Sequence, residues 1–211
     1  MTRRELLAST PASSAVAEQA VARKRPLGNQ AGPNILVFFT DQQRCDTLGC
    51  YGGPMGLTPN LDRFARDGVR FEHAFTNQPL CAPARSVLQT GKYATTTGVI
   101  NNGLILRDDE RTLANYFGQR GYQTAYVGKW HLGGTSDRPV PVPRRGGYQW
   151  WAASDVLEFT STPFQGRVFD TNDQPVEFSQ YRTDALTDIA IRFLREREEQ
   201  RGRRPDRRVD L

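Results

Sequence analysis

The sequence contains little of what marks membrane proteins, disulfide-rich proteins or zinc-binding proteins. No apolar run approaches the roughly 18 residues of a membrane-spanning helix, so we expect no membrane span. Three cysteines are too few for a disulfide framework, and no pair has the Cys-x-x-Cys spacing of a zinc site. We predict that Cys45 and Cys50 are small buried residues.

The sequence also lacks a sustained basic stretch within its middle part. The formal net charge is +5 in 211 residues, but the basic excess lies in residues 1–25 and 192–211. The part between these ends is nearly balanced, which argues against a basic binding face on the folded part. We therefore predict no nucleic-acid partner.

The two ends differ in composition from the rest of the chain. Residues 1–33 begin with paired arginines, continue through an Ala- and Ser-rich stretch and include the small-residue sequence Ala15-Val16-Ala17. This pattern fits either a degenerate twin-arginine export signal followed by a linker, or a disordered tail. The first interpretation implies a periplasmic or extracellular protein and the second a cytoplasmic one. Residues 201–211 form a basic tail, so the folded domain is predicted over residues 34–200.

Strand-like and helix-like patterns alternate along this domain. Such alternation predicts an α/β fold with a mostly parallel sheet flanked by helices. The Ile35–Thr40 run predicts a strand buried on both faces. The other predicted elements are a helix over Asn60–Arg66, an extended segment over Val69–Phe75, a helix over Ser86–Gln89, a helix capped by Thr112, a strand over Gln123–Val127, a loop over 134–147 and a helix over Thr183–Glu199. We expect the last helix to bury Leu186, Ile189, Ala190, Phe193 and Leu194.

Candidate metal-binding and catalytic residues occur in three places. Asp41 and Gln42 follow the first predicted strand, where a carboxylate and an amide oxygen can bind Ca²⁺ or Mg²⁺, although an Asp there is commonly a turn residue. Cys81 stands four residues before Arg85 at a predicted helix start, a position typical of reactive cysteines. The three residues between them are too few for the anion-binding loop of a tyrosine phosphatase.

The third place follows the Gln123–Val127 strand. Lys129 is a point charge suited to a tetrahedral oxyanion. His131 can transfer a proton near neutral pH. Taken alone, Lys129 would more commonly be a surface lysine and His131 a packed histidine.

Together these residues resemble the type I sulfatases. Two motifs match, Cys81-Ala82-Pro83-Ala84-Arg85 and the segment from Gly121 to His131. Asp41 precedes both motifs, and the matching segment Thr58-Pro59-Asn60-Leu61-Asp62 lies between Asp41 and Cys81. The resemblance implies an alkaline-phosphatase-like N-terminal sulfatase domain, with Cys81 oxidised to formylglycine by a formylglycine-generating enzyme. It also implies hydrolysis of a sulfate ester, either a small molecule or a glycan.

The resemblance assigns a role to each candidate residue. One hydroxyl of the formylglycine hydrate attacks sulfur, and the other then expels sulfate and restores the aldehyde. Asp41, Gln42 and Cys81 map to ligands of a divalent cation, most commonly Ca²⁺, with Mg²⁺ as the alternative. Arg85 holds the formylglycine, while Lys129 binds sulfate and His131 assists elimination.

Two departures from the family pattern leave alternatives open. Gln42 stands where many sulfatases have a second Asp, and related phosphonate or phosphate ester hydrolases often have Gln there. The family also takes metal ligands from sequence that follows this portion, so we expect a truncated domain. The alternatives are therefore a phosphonate or phosphate ester hydrolase, or a non-catalytic fragment.

Overall fold

The computed structural model describes residues 32–202. The predicted export signal or tail and the predicted basic tail fall almost wholly outside these residues. The described part divides into two units, the first ending at Phe39 and the second beginning at Thr40. No helix among residues 32–202 is long and apolar enough to cross a membrane.

The first unit corrects one prediction. Residues 32–39 form no strand, and the side chains of Leu36 and Phe38 are 78% and 69% exposed. An apolar, β-branched run favours extended backbone, but a strand exists only when neighbouring backbone groups pair with it. The predicted buried strand over Ile35–Thr40 is therefore wrong for this structure.

The second unit holds all the regular elements described below. The helices are α1 (Pro59–Asp67), α2 (Cys81–Thr90), α3 (Ala94–Thr97), α4 (Leu113–Gly118), α5 (Leu157–Thr160) and α6 (Arg182–Gly202). The strands are β1 (Ala125–Lys129), β2 (Trp150–Ser154), β3 (Gly166–Asp170) and β4 (Pro175–Phe178). Short 3-10 turns occur at Cys45–Thr47, Gly49–Tyr51 and Val142–Arg144.

These elements confirm the α/β class. The four strands form one sheet in the order β1-β2-β3-β4, in which β1 and β2 are parallel and the other pairs are antiparallel. The sheet is thus mixed rather than mostly parallel within the described residues. A tight turn after Asp170 joins β3 to β4 in a hairpin, where Asp170 accepts hydrogen bonds from the backbone N–H of Asn172 and Gln174.

The predicted helices occur with shifted bounds. Helix α1 begins at Pro59, and Gly68 follows its last residue, as expected for a proline at a helix start and a glycine just after a helix end. The cysteine helix begins at Cys81 rather than at Ser86, because a proline in the first turn of a helix removes no intrahelical hydrogen bond. Thr112 forms a capping box with Asn115 at the start of α4. Residues 69–75 are irregular rather than a strand.

Two burial predictions need correction. Cys45 is exposed and Cys50 is only partly buried. On α6, Ile189 is buried as predicted, but Leu194 is 53% exposed. Helical periodicity identifies an apolar face, but it does not determine how far along the helix that face is covered.

The core consists of two apolar clusters. One packs helix α2 and the following loops against the β1 and β2 side chains, and the other packs α6 on the sheet. An aromatic group of Tyr126, Trp130, Tyr148 and Trp151 lies in the first cluster, with ring centroids 5.0 to 6.0 Å apart. These rings fix the end of β1 against β2.

Arg145 joins the loop before β2 to the β3–β4 turn. Its guanidinium is buried and donates to the carbonyls of Val140 (2.8 Å) and Thr171 (2.9 Å). It also forms an ion pair with Asp173 and lies over the Trp151 ring, 5.4 Å from its centroid. The predicted loop over 134–147 is thus irregular but held by specific polar contacts.

Candidate active site

The carboxylate of Asp41 is the point where the predicted site residues meet. Its Oδ2 lies 3.2 Å from the Lys129 ammonium and 3.8 Å from the Arg85 guanidinium. Its Oδ1 accepts the backbone N–H of Gln42 at 3.0 Å and lies 3.9 Å from the Cys81 sulfur. The structure therefore brings together Asp41, Cys81, Arg85 and Lys129, which are far apart in sequence.

The charges around Asp41 set its protonation state. Partial burial opposes ionisation, but the Gln42 hydrogen bond and the positive charges of Lys129 and Arg85 outweigh it. The pKa of Asp41 is consequently lowered below its ordinary value of 3.8. At neutral pH Asp41 is therefore a carboxylate held by two cationic side chains.

The start of α2 positions Cys81. Leu80 before it is extended, and the backbone N–H of Ala82 donates to the Asn102 side chain at 3.0 Å. Ala82 is fully buried, while Cys81 is partly accessible. The helix is thus anchored one residue beyond Cys81, and the sulfur faces Asp41 at the helix N-terminus.

Arg85 lies one helical turn after Cys81 and is buried. Its Nη1 donates to the Lys129 carbonyl at 2.6 Å, and the Tyr126 hydroxyl donates to the same oxygen at 2.5 Å. Burial raises the pKa of Tyr126 above its ordinary value, so its phenol stays protonated and remains a donor. Tyr126 was not predicted as a site residue. It fixes the backbone from which the Lys129 side chain extends.

His131 follows β1 in an unusual backbone conformation. Its φ is 59°, in the left-handed region, and its N–H donates to the Asp155 carbonyl at 2.7 Å. Burial, together with the charges of Lys129 and Arg85, lowers the pKa of His131 below 6.5. Its buried Nδ1 has no hydrogen-bond partner among the described residues. At neutral pH His131 is thus an uncharged imidazole near Lys129 and Arg85, and its Nδ1 makes no hydrogen bond within residues 32–202.

Asp155 is a second residue that the sequence did not single out. It is buried directly after β2, and its carboxylate accepts the backbone N–H of Gly133 (2.9 Å) and of Thr135 (2.7 Å). These bonds tie the segment after β1 to the end of β2. An Asp directly after a strand was the available signal, but it is common in turns.

Glu158 is the third unpredicted residue. It lies on α5, and its Oε1 is 3.1 Å from the Lys129 Nζ. Burial opposes its ionisation, but the hydrogen bonds from its own backbone N–H and from Lys129 outweigh this, and its pKa is lowered. No sequence motif marks Glu158, because only the pairing of β1 with β2 brings it to Lys129.

The predicted metal ligands do not by themselves fit a divalent cation. Ca²⁺ takes six to eight oxygen ligands, whereas Asp41 and Gln42 supply one carboxylate and one amide, and Cys81 in its unmodified form supplies a sulfur. The Asp41 carboxylate also faces Lys129 and Arg85, which compete with a metal for its oxygens. Among residues 32–202, no group of three or more His, Cys, Asp or Glu could hold a metal ion.

A family comparison supplies the observation that decides the classification. The family model described as sulfatase matches residues 33–204, which is most of the chain. The chain belongs to the sulfatase family. The Cys81 and Lys129 segments, which carried the resemblance in the sequence, are therefore sulfatase segments brought together around Asp41.

Individual sulfatases agree with this assignment. The chain is 37% identical over 165 residues to an ulvan-active sulfatase of Formosa agariphila, covering 77% of this chain and 32% of that protein. It is 32% identical over 166 residues to an N-acetylglucosamine-6-O-sulfatase of Bacteroides thetaiotaomicron, covering 79% of this chain and 28% of the relative. The chain thus spans about a third of the length of these curated relatives.

Solved sulfatase structures share the fold. One, solved in complex with its substrate D-glucosamine-2-N,6-O-disulfate, superposes with a TM-score of 0.68 at 31% identity, covering 77% of this chain and 31% of its own. A putative sulfatase from Bacteroides fragilis gives a TM-score of 0.69 at 27% identity, covering 82% and 43%. The predicted sulfatase-type α/β fold is confirmed by these neighbours.

Proposed function

We propose that the site around Asp41 serves the hydrolysis of sulfate esters, with formylglycine made from Cys81 as the nucleophile. The observation that carries this proposal is the convergence of Cys81, Arg85 and Lys129 on one carboxylate within a sulfatase chain. Sulfated sugars are the substrate class that best accords with the names of the similar sulfatases. A formylglycine-generating enzyme is the partner that this proposal requires.

Each side chain has a task that follows from its charge and position. Hydrated formylglycine, when present, supplies the attacking hydroxyl and a second hydroxyl whose deprotonation releases sulfate. Lys129 binds a sulfate oxygen by its charge. Arg85 holds positive charge beside residue 81, and Tyr126 and Arg85 together fix the Lys129 backbone. Because its pKa is lowered, neutral His131 can accept a proton at neutral pH.

A divalent cation, Ca²⁺ or Mg²⁺, is part of the proposal only as a requirement of the family chemistry. Asp41 is the described residue best suited to contribute a ligand, with Gln42 and residue 81 beside it. Because these residues fit a cation incompletely, no step above depends on it.

The proposal is tested in two stages. The chain is produced aerobically with a formylglycine-generating enzyme, and the Cys81 peptide is analysed by mass spectrometry. Conversion lowers the mass by about 18 Da, whereas ordinary thiol oxidation adds oxygen mass. A peptide that stays unconverted while a control sulfatase is modified contradicts the assignment of Cys81.

The second stage measures hydrolysis of a fluorogenic sulfate ester and the matching phosphonate ester in excess Ca²⁺, against a Cys81→Ala control. Sulfate hydrolysis above the control and above phosphonate hydrolysis would support the proposed function. Faster phosphonate hydrolysis favours the phosphonate hydrolase alternative. Hydrolysis equal to the Cys81→Ala control for both esters favours the non-catalytic alternative.

A further inference from the structure

Glu158 occupies a position at the site that the proposed mechanism does not use. Strands β1 and β2 are parallel and Lys129 is in register with Ser154, so both strands end at the same edge of the sheet. The short helix α5 begins just beyond that edge and carries Glu158 back over Lys129. Lys129 Nζ therefore lies between two carboxylates, 3.2 Å from Asp41 Oδ2 and 3.1 Å from Glu158 Oε1.

The two carboxylates differ in their surroundings. Asp41 faces the cationic groups of both Lys129 and Arg85, whereas Lys129 is the one ion-pair partner of Glu158 within residues 32–202. The side chain of Lys129 is 8% exposed and that of Glu158 is 52% exposed. Glu158 thus places a half-exposed negative charge in contact with a buried cation.

This arrangement bears directly on any sulfate ester that Lys129 holds. A sulfate oxygen within hydrogen-bond distance of Nζ must lie within several ångströms of the Glu158 carboxylate, which contacts the same nitrogen. The group next to the ester then meets a negative charge that accepts hydrogen bonds. A hydroxyl or ammonium group there can donate to it, while a second anion is repelled.

We propose that Glu158 is a specificity-determining residue that favours sulfate esters with a neighbouring hydroxyl or ammonium donor and disfavours those with a second anion nearby. This inference rests on the proposed function, because it requires Lys129 to bind the ester sulfate. The role differs from catalysis, since it concerns the group beside the sulfate rather than the sulfur itself. The lowered pKa of Glu158 keeps its carboxylate charged at neutral pH.

The test compares two aryl sulfates that differ only in their ortho substituent. Catechol monosulfate carries a hydroxyl next to the ester, and salicyl sulfate carries a carboxylate. Dissociation constants are measured by calorimetry on the 211-residue chain with Cys81→Ala, which prevents turnover. The same measurements are made after adding Glu158→Gln, which keeps the size of the side chain and removes its charge.

A matched control removes an equal charge far from the site. Glu177 lies on β4, three strands from β1 in the sheet, which is roughly 14 Å at the usual strand spacing. Glu177→Gln in the same background should leave both dissociation constants unchanged. Comparison with Glu158→Gln then separates a local effect from a change in net charge.

The ratio of the two dissociation constants is the decisive quantity. Loss of the Glu158 charge leaves Lys129 paired with Asp41 and can strengthen binding of both esters. A change in their ratio that exceeds the change in Glu177→Gln reports a local interaction of Glu158 with the ortho group. Two unit charges about 6 Å apart alter an equilibrium constant about 3-fold in bulk water and about 100-fold in a partly buried setting. We expect Glu158→Gln to reduce the preference for catechol monosulfate by at least about 3-fold.

The possible failures are distinguishable. An unchanged ratio in Glu158→Gln, with both esters still bound, overturns the role of Glu158 and leaves the proposed function intact. Absence of binding by either ester to the Cys81→Ala chain overturns the proposed function and this inference with it. A ratio that changes equally in Glu177→Gln shows a general charge effect and also overturns the inference.

Discussion

The hydroxyls of two partly buried tyrosines in the same aromatic cluster allow a quantitative test of how the site is held. Tyr126→Phe and Tyr148→Phe each remove one O–H group and leave the ring in place. The Tyr126 hydroxyl donates to the Lys129 carbonyl, which also accepts from Arg85 at 2.6 Å. The Tyr148 hydroxyl donates to the Gln89 side-chain oxygen at 2.9 Å, and Gln89 is only 4% exposed.

The difference between the two acceptors gives the expected magnitudes. Tyr126→Phe removes the hydrogen bond to the Lys129 carbonyl and a long contact of 3.5 Å from Arg85 Nη1, but it leaves that carbonyl with its Arg85 donor, so the net loss is about 0.5–1 kcal/mol. Tyr148→Phe leaves a buried Gln89 oxygen without the donor it had, which adds a desolvation penalty and brings the cost to about 1–3 kcal/mol. We expect Tyr148→Phe to be the more destabilising change by about 1 kcal/mol.

Urea unfolding followed by tryptophan fluorescence measures this difference, because Trp130 and Trp151 belong to the same cluster. Both phenols are protonated at neutral pH, since burial raises the pKa of Tyr148 to about 12 and also raises that of Tyr126. The substitutions therefore change no charge. The m-values should match the unsubstituted protein, so that midpoint shifts report stability alone.

The reverse order would refute the reasoning. If Tyr126→Phe costs more than Tyr148→Phe, then Arg85 does not satisfy the Lys129 carbonyl independently of Tyr126. An equal and negligible cost for both changes would mean that water replaces each hydroxyl, and that neither acceptor is closed to solvent.

Three further predictions concern charge and burial. The pKa of His131 in the folded protein is lowered from 6.5, so its contribution to stability should be present above pH 6.5 and lost as the pH falls through the folded pKa. His131→Asn should remove this pH dependence of the free energy of unfolding, measured by urea titration. The control His73→Asn should leave the dependence in place. Lys129→Met should raise the pKa of Asp41 toward 3.8 in a carboxyl NMR titration, and a further decrease would contradict the proposed pairing. Arg145→Met should lower the free energy of unfolding by about 1–3 kcal/mol, because it leaves the carbonyl of the buried Val140 without its Arg145 donor and removes the hydrogen bond to the Thr171 carbonyl, and a cost below about 1 kcal/mol would show that water reaches the Val140 carbonyl.

Much of the site could be predicted because its residues carry local signals. Cys81, Arg85 and Lys129 lie in short motifs at helix and strand ends, and such ends meet at one edge of an α/β sheet. Asp41 follows an apolar run, and its position at the site did not require that run to form a strand. Glu158 could not be predicted in this way, because its contact depends on the pairing of β1 and β2.

The fold was less predictable where structure depends on partners distant in sequence. The Ile35–Thr40 run has the composition of a buried strand, but composition does not specify the strand with which it pairs. Leu194 has the correct helical spacing, yet no periodicity states whether other residues cover that turn of α6. Strands β2, β3 and β4 were not predicted, because each is only four or five residues long.

The sheet connections also imply an order of assembly. The β3–β4 hairpin closes through a tight turn held by Asp170, and such hairpins form within microseconds. The parallel pairing of β1 with β2 needs a much longer chain segment to be ordered first, which slows its formation. Lys129 at the end of β1 therefore reaches Asp41 late, and amide protons of the hairpin should become protected from exchange before those of β1.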